Sequence, residues 1–320
     1  MNIRTILAAA LFAIAATGIS SAQDMTAADY AALFAKVNNT GRWGKDDALG
    51  TLNHITPAER RQASREVRDG VTVSLARTIT PGDTPGALEP SRLDGIDLKD
   101  GDIHWQIERL TLVFHGYAFS HVDALSHTAF KGAVYNAPSD VKRDLEALSV
   151  ERMQGGIVSR GVLVDLPKLK GVDYLEPGTA YTPADIEAWE KKTGVTIGAG
   201  DVLLVRTGRW VRWATKGPVD PTKQQAGPHP TMAAWLHARR VAIVGDDGAN
   251  DLAPSVVPGV SHPFHQAALV AMGMPLLDNL DLDALARTAE TLTRWTFLFV
   301  AAPLPLKDAT GSPLNPLAVF

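Results

Sequence analysis

Between Phe114 and His127 the chain gathers the residue types that carry acid–base and metal chemistry. The run Phe114-His115-Gly116-Tyr117-Ala118-Phe119-Ser120-His121-Val122-Asp123-Ala124-Leu125-Ser126-His127 puts three His and one Asp within 13 residues. His121 and Asp123 are two apart, so in extended chain both side chains point to one side. One imidazole and one carboxylate so placed make a two-ligand clamp for a divalent ion. His127, four residues past Asp123, reaches the same place if the chain turns into a helix at Asp123. An imidazole beside such an ion is a natural general acid or base, because its ordinary pKa lies near about 6.5. By spacing alone, a solvated loop with satisfied hydrogen bonds accounts for the segment equally well.

Such a segment needs a scaffold. Strands are predicted on either side of it, over residues 105–114 and 161–166. Residues 71–75 alternate like a strand, 201–207 and 241–245 are short apolar runs suited to buried central strands, and 296–301 reads as a closing strand. Helices are predicted over residues 26–37, from the N-cap Thr56 to residue 69, from Thr182 to residue 192, and over 263–272. Residues 81–90 and 217–230, rich in Pro and Gly, read as loops. Strands and helices alternate with no repeat and no break in composition. The prediction is therefore a single α/β domain, residues 23–320, with a mixed central sheet flanked by helices. Asp246, Asp247 and Arg206-Thr207-Gly208 follow predicted strands, where open α/β sheets place their sites. The acids are read as partners orienting a ligand His or as solvated loop residues, and Arg206 as a contact for a substrate carboxylate.

Composition narrows the chemistry. The 320 residues, 45% hydrophobic and 21% charged, suit a soluble globular protein with a sizeable core. Nine His and no Cys exclude a zinc ribbon, an iron–sulfur site, a disulfide framework and a cysteine nucleophile. A net charge of −4 gives no basic footprint for nucleic acid. No Gly-x-Ser-x-Gly elbow is present, which sets a serine hydrolase aside. The stretch from Gly194 to Gly200 precedes a predicted strand rather than joining strand to helix, the wrong context for a phosphate loop. Residues 1–22 read as a secretory signal peptide: Arg4, an apolar stretch to Ile19, then Ser20-Ser21-Ala22 before the cleavage point. Its removal takes the charge from −4 to −5 with the loss of Arg4. A secreted protein is expected, periplasmic in a Gram-negative host, with no later segment long enough to span a bilayer.

Residues Ser120 to His127 match the second half of the pattern His-x-Gly-Thr-His-x-Asp-x-Pro-x-His. Two further stretches, Trp43-Gly44-Lys45-Asp46-Asp47-Ala48-Leu49-Gly50-Thr51-Leu52-Asn53 and Gly311-Ser312-Pro313-Leu314-Asn315-Pro316, extend the likeness over the mature chain. The sequence resembles the metal-dependent cyclase and kynurenine formamidase-like hydrolases, in the longer bacterial branch similar to isatin hydrolase and arylformamidase. The resemblance implies a swivelling β/β/α fold, with His121 and Asp123 ligating zinc or manganese and His127 serving in acid/base catalysis. The first His of the pattern falls on Tyr117, so His115 is the replacement candidate. A second family pattern puts Gln266 on a ligand position, Asp278 on an acidic one, and His265 beside them as a further catalytic candidate. Trp43, Tyr117 and Phe119 are candidates to line an apolar pocket for a flat or cyclic substrate. The implied reaction is hydrolysis of an amide, cyclic amide, ester or lactone in a homodimer or homotetramer. The Tyr117 and Gln266 departures leave open an exported, non-catalytic binding or scaffold protein on the same fold.

Overall fold

The computed structural model describes residues 24–320, and the expected signal peptide lies outside the described residues. In chain order the main strands are β1 (Thr72–Ser74), β2 (Arg92–Asp100), β3 (Ile103–Thr111), β4 (His121–Asp123), β5 (Ile157–Asp165), β6 (Val202–Arg206), β7 (Ile243–Asp246), β8 (Leu276–Asp278), β9 (Thr296–Ala301), β10 (Gly311–Pro313) and β11 (Leu317–Val319). Nine of these form one mixed sheet in the order β1-β11-β9-β5-β6-β7-β8-β4-β10. The apolar runs occupy its centre, where β5, β6, β7 and β8 are mutually parallel. Antiparallel strands complete both sides. Val162, Val164, Leu203, Val205, Ile243 and Leu277 are fully buried in this centre. Each such side chain contributes roughly 1.5–3 kcal/mol by leaving water.

Helices cover the sheet, and their starts follow the local chemistry. Thr56 and Glu59 form a capping box ahead of the helix Pro57–Ala63, and Thr182 with Asp185 does the same ahead of Pro183–Thr193. The first of these ends sooner than residue 69, tightening into a 3₁₀ turn at Ser64–Glu66. Residues 263–272 are helical as expected, but only Pro263–His265 is α-helical. Gln266–Met272 widens into a π-helix that stops at Gly273 in the left-handed region.

The strand predicted over residues 105–114 is real but differently placed. It ends at Thr111 and pairs only with β2, as a two-stranded ribbon outside the main sheet. Its side chains are exposed along the whole length, so it frames nothing; the His- and Asp-bearing segment begins in the loop after it. The chain does not turn into a helix at Asp123. Residues 124–126 make a tight turn closed by the His127 N–H on the Ala124 carbonyl at 2.9 Å. Among the described residues no helix is long and apolar enough to cross a membrane.

Candidate metal and catalytic site

The site starts from β4, which lies between β8 and β10. Extended chain turns His121 and Asp123 to one face and Val122 to the core; all three are buried. The antiparallel register sets Asp278, the last residue of β8, opposite His121, and Gly311 opposite Asp123. Opposite residues share a face, so β8 supplies a second carboxylate and β10 supplies space. A Cβ on Gly311 would lie 2.4 Å from the Val122 carbonyl oxygen and 2.8 Å from His115 Cε1. The missing side chain is what lets the His115 ring approach Asp123.

Hydrogen bonds then fix which nitrogen of each ring faces inward. His121 Nδ1 donates to the Phe119 carbonyl at 2.8 Å, leaving Nε2 3.3 Å from Asp123 Oδ1 and 3.9 Å from Asp278 Oδ2. His115 Nε2 lies 3.0 Å from Thr310 Oγ1, and its Nδ1 3.1 Å from Asp123 Oδ1. His265 Nδ1 donates to Asp251 at 2.5 Å, and its Nε2 lies 3.5 Å from both Asp123 Oδ2 and Asp278 Oδ2. Asp251 in turn accepts the backbone N–H groups of Phe264 and His265, tying the start of the helix to the imidazole it orients. His127 Nε2 is 3.8 Å from Asp123 Oδ2, and its ring stacks on that of His115 at 4.2 Å.

These contacts leave a specific deficit. Both oxygens of Asp123 and Nδ1 of His115 are buried without a hydrogen-bond partner. Orphaned buried groups of this kind are rare because each costs about 1–3 kcal/mol. Lone pairs of one carboxylate and one imidazole that converge without hydrogen bonds fit a divalent cation. His115, Asp123 and His127 form one group whose ligand atoms fall within 4.8 Å of one another, and His121, Asp123 and Asp278 form another. Asp123 is common to both.

The charges respond to each other. Despite burial, the imidazoles of His127 and His121 hold the Asp123 carboxyl well below the ordinary carboxylate range. Burial opposes charge on His265, yet Asp123, Asp251 and Asp278 raise it well above the usual histidine value. His127 goes the other way, lowered by burial and by the neighbouring imidazoles.

Among the sequence candidates, His115, Tyr117, His121, Asp123, His127, His265 and Gln266 all line one cavity of about 360 Å³, together with Asp278. Tyr117 sets its hydroxyl 3.4 Å from His262 Nε2, and it is His115 whose ring nitrogen comes within 3.1 Å of Asp123. The Gln266 side chain meets the Tyr30 hydroxyl at 3.5 Å. Trp43 and Phe119 lie outside the lining. Trp43 packs edge-on against His54, and the buried Phe119 contributes its carbonyl to His121. Arg206 is likewise committed elsewhere, paired with Asp165 and Asp283 at 3.0 and 2.7 Å.

Asp246 and Asp247 are fully buried, and Asp246 orients an acid rather than a histidine. Asp246 accepts the Asn250 N–H, and the Asn250 amide donates to Asp278 at 2.6 Å. Burial beside Asp247 and Asp278 pushes the Asp246 carboxyl up to about 8. Asp247 accepts from Thr207 and Gly208, which ties the loop after β6 to the end of β7. Asp251, Asn250 and Thr310 are the partners that sequence reasoning missed. No fixed spacing relates Thr310 to His115 or Asp251 to His265, so only the folded chain brings them together.

The sequence profile of the cyclase family matches residues 73–250, more than half of the chain. This protein is a member of the cyclase family. A solved structure described as a novel cyclase is 28% identical, with a TM-score of 0.79 over 90% of this chain and 99% of that one. Isatin hydrolase A from Labrenzia aggregata, bound to benzyl benzoate, is 23% identical with a TM-score of 0.56, over 80% of this cyclase-family chain and 94% of its own. Isatin hydrolase A from Ralstonia solanacearum is 21% identical with a TM-score of 0.55, over 82% and 95%. These two share the fold. No curated protein matches the sequence.

Proposed function

We propose that this cyclase-family chain is an exported metal-dependent hydrolase that opens an amide, cyclic amide, ester or lactone bond of a small molecule. The observation that carries this reading is the buried Asp123 carboxylate, unpartnered at both oxygens and ringed by imidazole nitrogens at the wall of a substrate-sized cavity. His121 Nε2, Asp123, His115 Nδ1 and Asp278 would hold the ion, with the amide oxygen of Gln266 as a further donor on the wall. The donor set, nitrogen and oxygen without sulfur, suits Mn²⁺ or Zn²⁺. The chemistry such an ion supplies is Lewis-acid activation of water and of the scissile carbonyl.

The chain's own residues do the rest. His127 is less buried than His115, His121 and His265 and serves as the base that accepts the proton of the attacking water. The same nitrogen returns that proton to the departing nitrogen or oxygen. His265, locked by Asp251, keeps its Nε2 on Asp123 and Asp278 and is the second proton-handling group. Tyr117, with Ala249 and Leu88, gives the wall an aromatic and apolar side for a flat ring. The fold shared with isatin hydrolases supports cyclic amides as the first substrates to try.

The rival is a binding protein on the same fold, motivated by Tyr117 standing where the family pattern has His. Metal analysis followed by a metal-supplemented hydrolysis screen over formanilides, isatins and lactones separates the two. Stoichiometric metal with turnover of one class supports the hydrolase. Substoichiometric metal, with no turnover after Mn²⁺ or Zn²⁺ is added, rejects it.

A further inference from the structure

The cavity of the His and Asp cluster does not end at Tyr117. A second cavity of about 310 Å³ adjoins it and shares three lining residues with it, Tyr117, Ala249 and His262. Tyr117 and His262 line both, so the 3.4 Å contact of the Tyr117 hydroxyl with His262 Nε2 lies on their common boundary. That contact is long for a hydrogen bond from a hydroxyl and lies in an exposed position. Parting it therefore leaves no buried group without a partner. Deeper in, Asp251 spans the same boundary, lining the second cavity while its carboxylate holds His265 of the first.

The polar side chains of the second cavity are already committed within the chain. Thr222 donates to Asp220, and Ser255 to the Val257 carbonyl. Gln225 donates to the Asp251 carbonyl and accepts the Ala249 N–H, and Ser261 meets His262 Nδ1 at 3.1 Å. The Asp251 carboxylate is taken up by His265 and two backbone N–H groups. Neither Lys nor Arg is among the described residues that line the cavity. What remains for an occupant is the apolar surface of Pro221, Leu252, Ala253 and Pro254, with the Tyr117 ring at the boundary. Such walls reject a charged group and accept an uncharged ring. The first cavity, at about 360 Å³, sits near the low end of the roughly 300–1,000 Å³ of small-molecule sites.

We propose that the second cavity is the distal subsite of the same centre, and that the substrate is a two-part molecule. Its reacting amide or ester carbonyl lies at the His121 and Asp123 cluster. Its uncharged, ring-sized apolar extension passes Tyr117 and His262 into the second cavity. The proposal rests on the hydrolase reading and adds the substrate's second half to it. The Tyr117–His262 contact is then a partition, closed beside a short substrate and parted by a long one. On this view the aromatic residue at position 117 serves substrate selection, while His115 takes the approach to Asp123.

The test uses the protein in Mn²⁺-containing buffer and matched probes of two kinds. Formanilide is compared with its 3-phenyl and 4-phenyl derivatives in kcat/KM. Benzoate is compared with 3-phenylbenzoate and 4-phenylbenzoate in Kd by isothermal titration. Burial of a second ring is worth roughly 10- to 100-fold, so one phenyl isomer in each series should gain by that factor. Ala253→Phe, and separately Thr222→Phe, fill the subsite from different parts of its wall and should each abolish the gain. Tyr117→Phe removes the contact with His262 but keeps the ring, and should widen the long-to-short ratio by roughly 2- to 10-fold. Absence of turnover on every formanilide rejects the hydrolase reading, and the titrations then still decide the subsite. Turnover of formanilide with no gain for either phenyl isomer leaves the hydrolase reading standing and overturns the subsite. Equal affinities for the three benzoates, or binding of none, also overturn it. So do filled variants that keep the wild-type ratio, and an unchanged ratio in Tyr117→Phe overturns the partition.

Discussion

Replacing Thr310 by Val removes one hydroxyl and keeps the side-chain shape. Thr310 Oγ1 lies 3.0 Å from His115 Nε2 and accepts its proton when Nδ1 is the free lone pair facing Asp123. Nδ1 has no hydrogen-bond partner of its own, which agrees with that tautomer. Losing one hydrogen bond between neutral groups costs about 0.5–1.5 kcal/mol, or roughly 2- to 13-fold in a dissociation constant. Outer partners of metal-bound histidines are worth about 10–100-fold. The two ranges overlap near tenfold, so Thr310→Val should weaken metal binding by about tenfold. Isothermal titration of chelator-treated protein with Mn²⁺, and separately with Zn²⁺, measures this directly. Thr310→Ser restores the hydroxyl and should restore the affinity, which a packing defect would not. Wild-type affinity in Thr310→Val would show that His115 does not contribute a metal-directed Nδ1. The donor set would then shrink to His121, Asp123 and Asp278.

Further outcomes follow from the same geometry. His121→Ala and Asp123→Ala should each abolish metal retention, read by elemental analysis after gel filtration. His127→Ala should keep the metal but lower kcat by about 10²–10⁴-fold on whichever substrate the screen identifies, and an unchanged kcat removes it from proton transfer. Gly311→Ala drives a methyl group into the Val122 carbonyl and the His115 ring, an overpacking cost of about 1–3 kcal/mol that should appear as a lower Tm and weaker metal binding together. Away from the site, burial with Arg42 and Arg240 nearby pushes the His54 imidazole down to about 4. The unfolded chain takes up that proton near pH 6.5 and the folded chain only near 4. Stability should therefore fall as pH drops between those values and level off below them. His54→Gln should flatten that part of the urea-midpoint profile; identical profiles for the two proteins rule the effect out.

The sheet was largely legible because its central strands are continuous apolar runs, and residues 201–207 and 241–245 needed no other signal. The clamp of His121 and Asp123 was legible for a different reason: a two-residue spacing has one meaning on a strand. What misled was the assumption that neighbours in sequence share a scaffold. The strand before the site alternates well enough but forms an exposed ribbon, and its apolar residues face outward. A turn at Ala124, not a helix, brings His127 round. Trp43 and Phe119 have the composition of a pocket and the location of packing. The partners that aim the imidazoles, Thr310 for His115 and Asp251 for His265, left no trace in spacing, because tertiary contacts carry no fixed interval.

His115 and Thr310 are separated by 195 positions, and the intervening chain supplies every other donor. Closing a loop of that length costs about 5 kcal/mol of chain entropy, which no single hydrogen bond can offset. The ring is therefore seated only after β10 has docked beside β4, late in any folding sequence that begins with local contacts. Before that moment the chain offers an ion little more than the His121–Asp123 pair. Metal affinity in this protein thus reports completion of the whole fold, and a bound ion acts as a latch on the native state, raising its stability by mass action in proportion to how poorly the unfinished chain can compete.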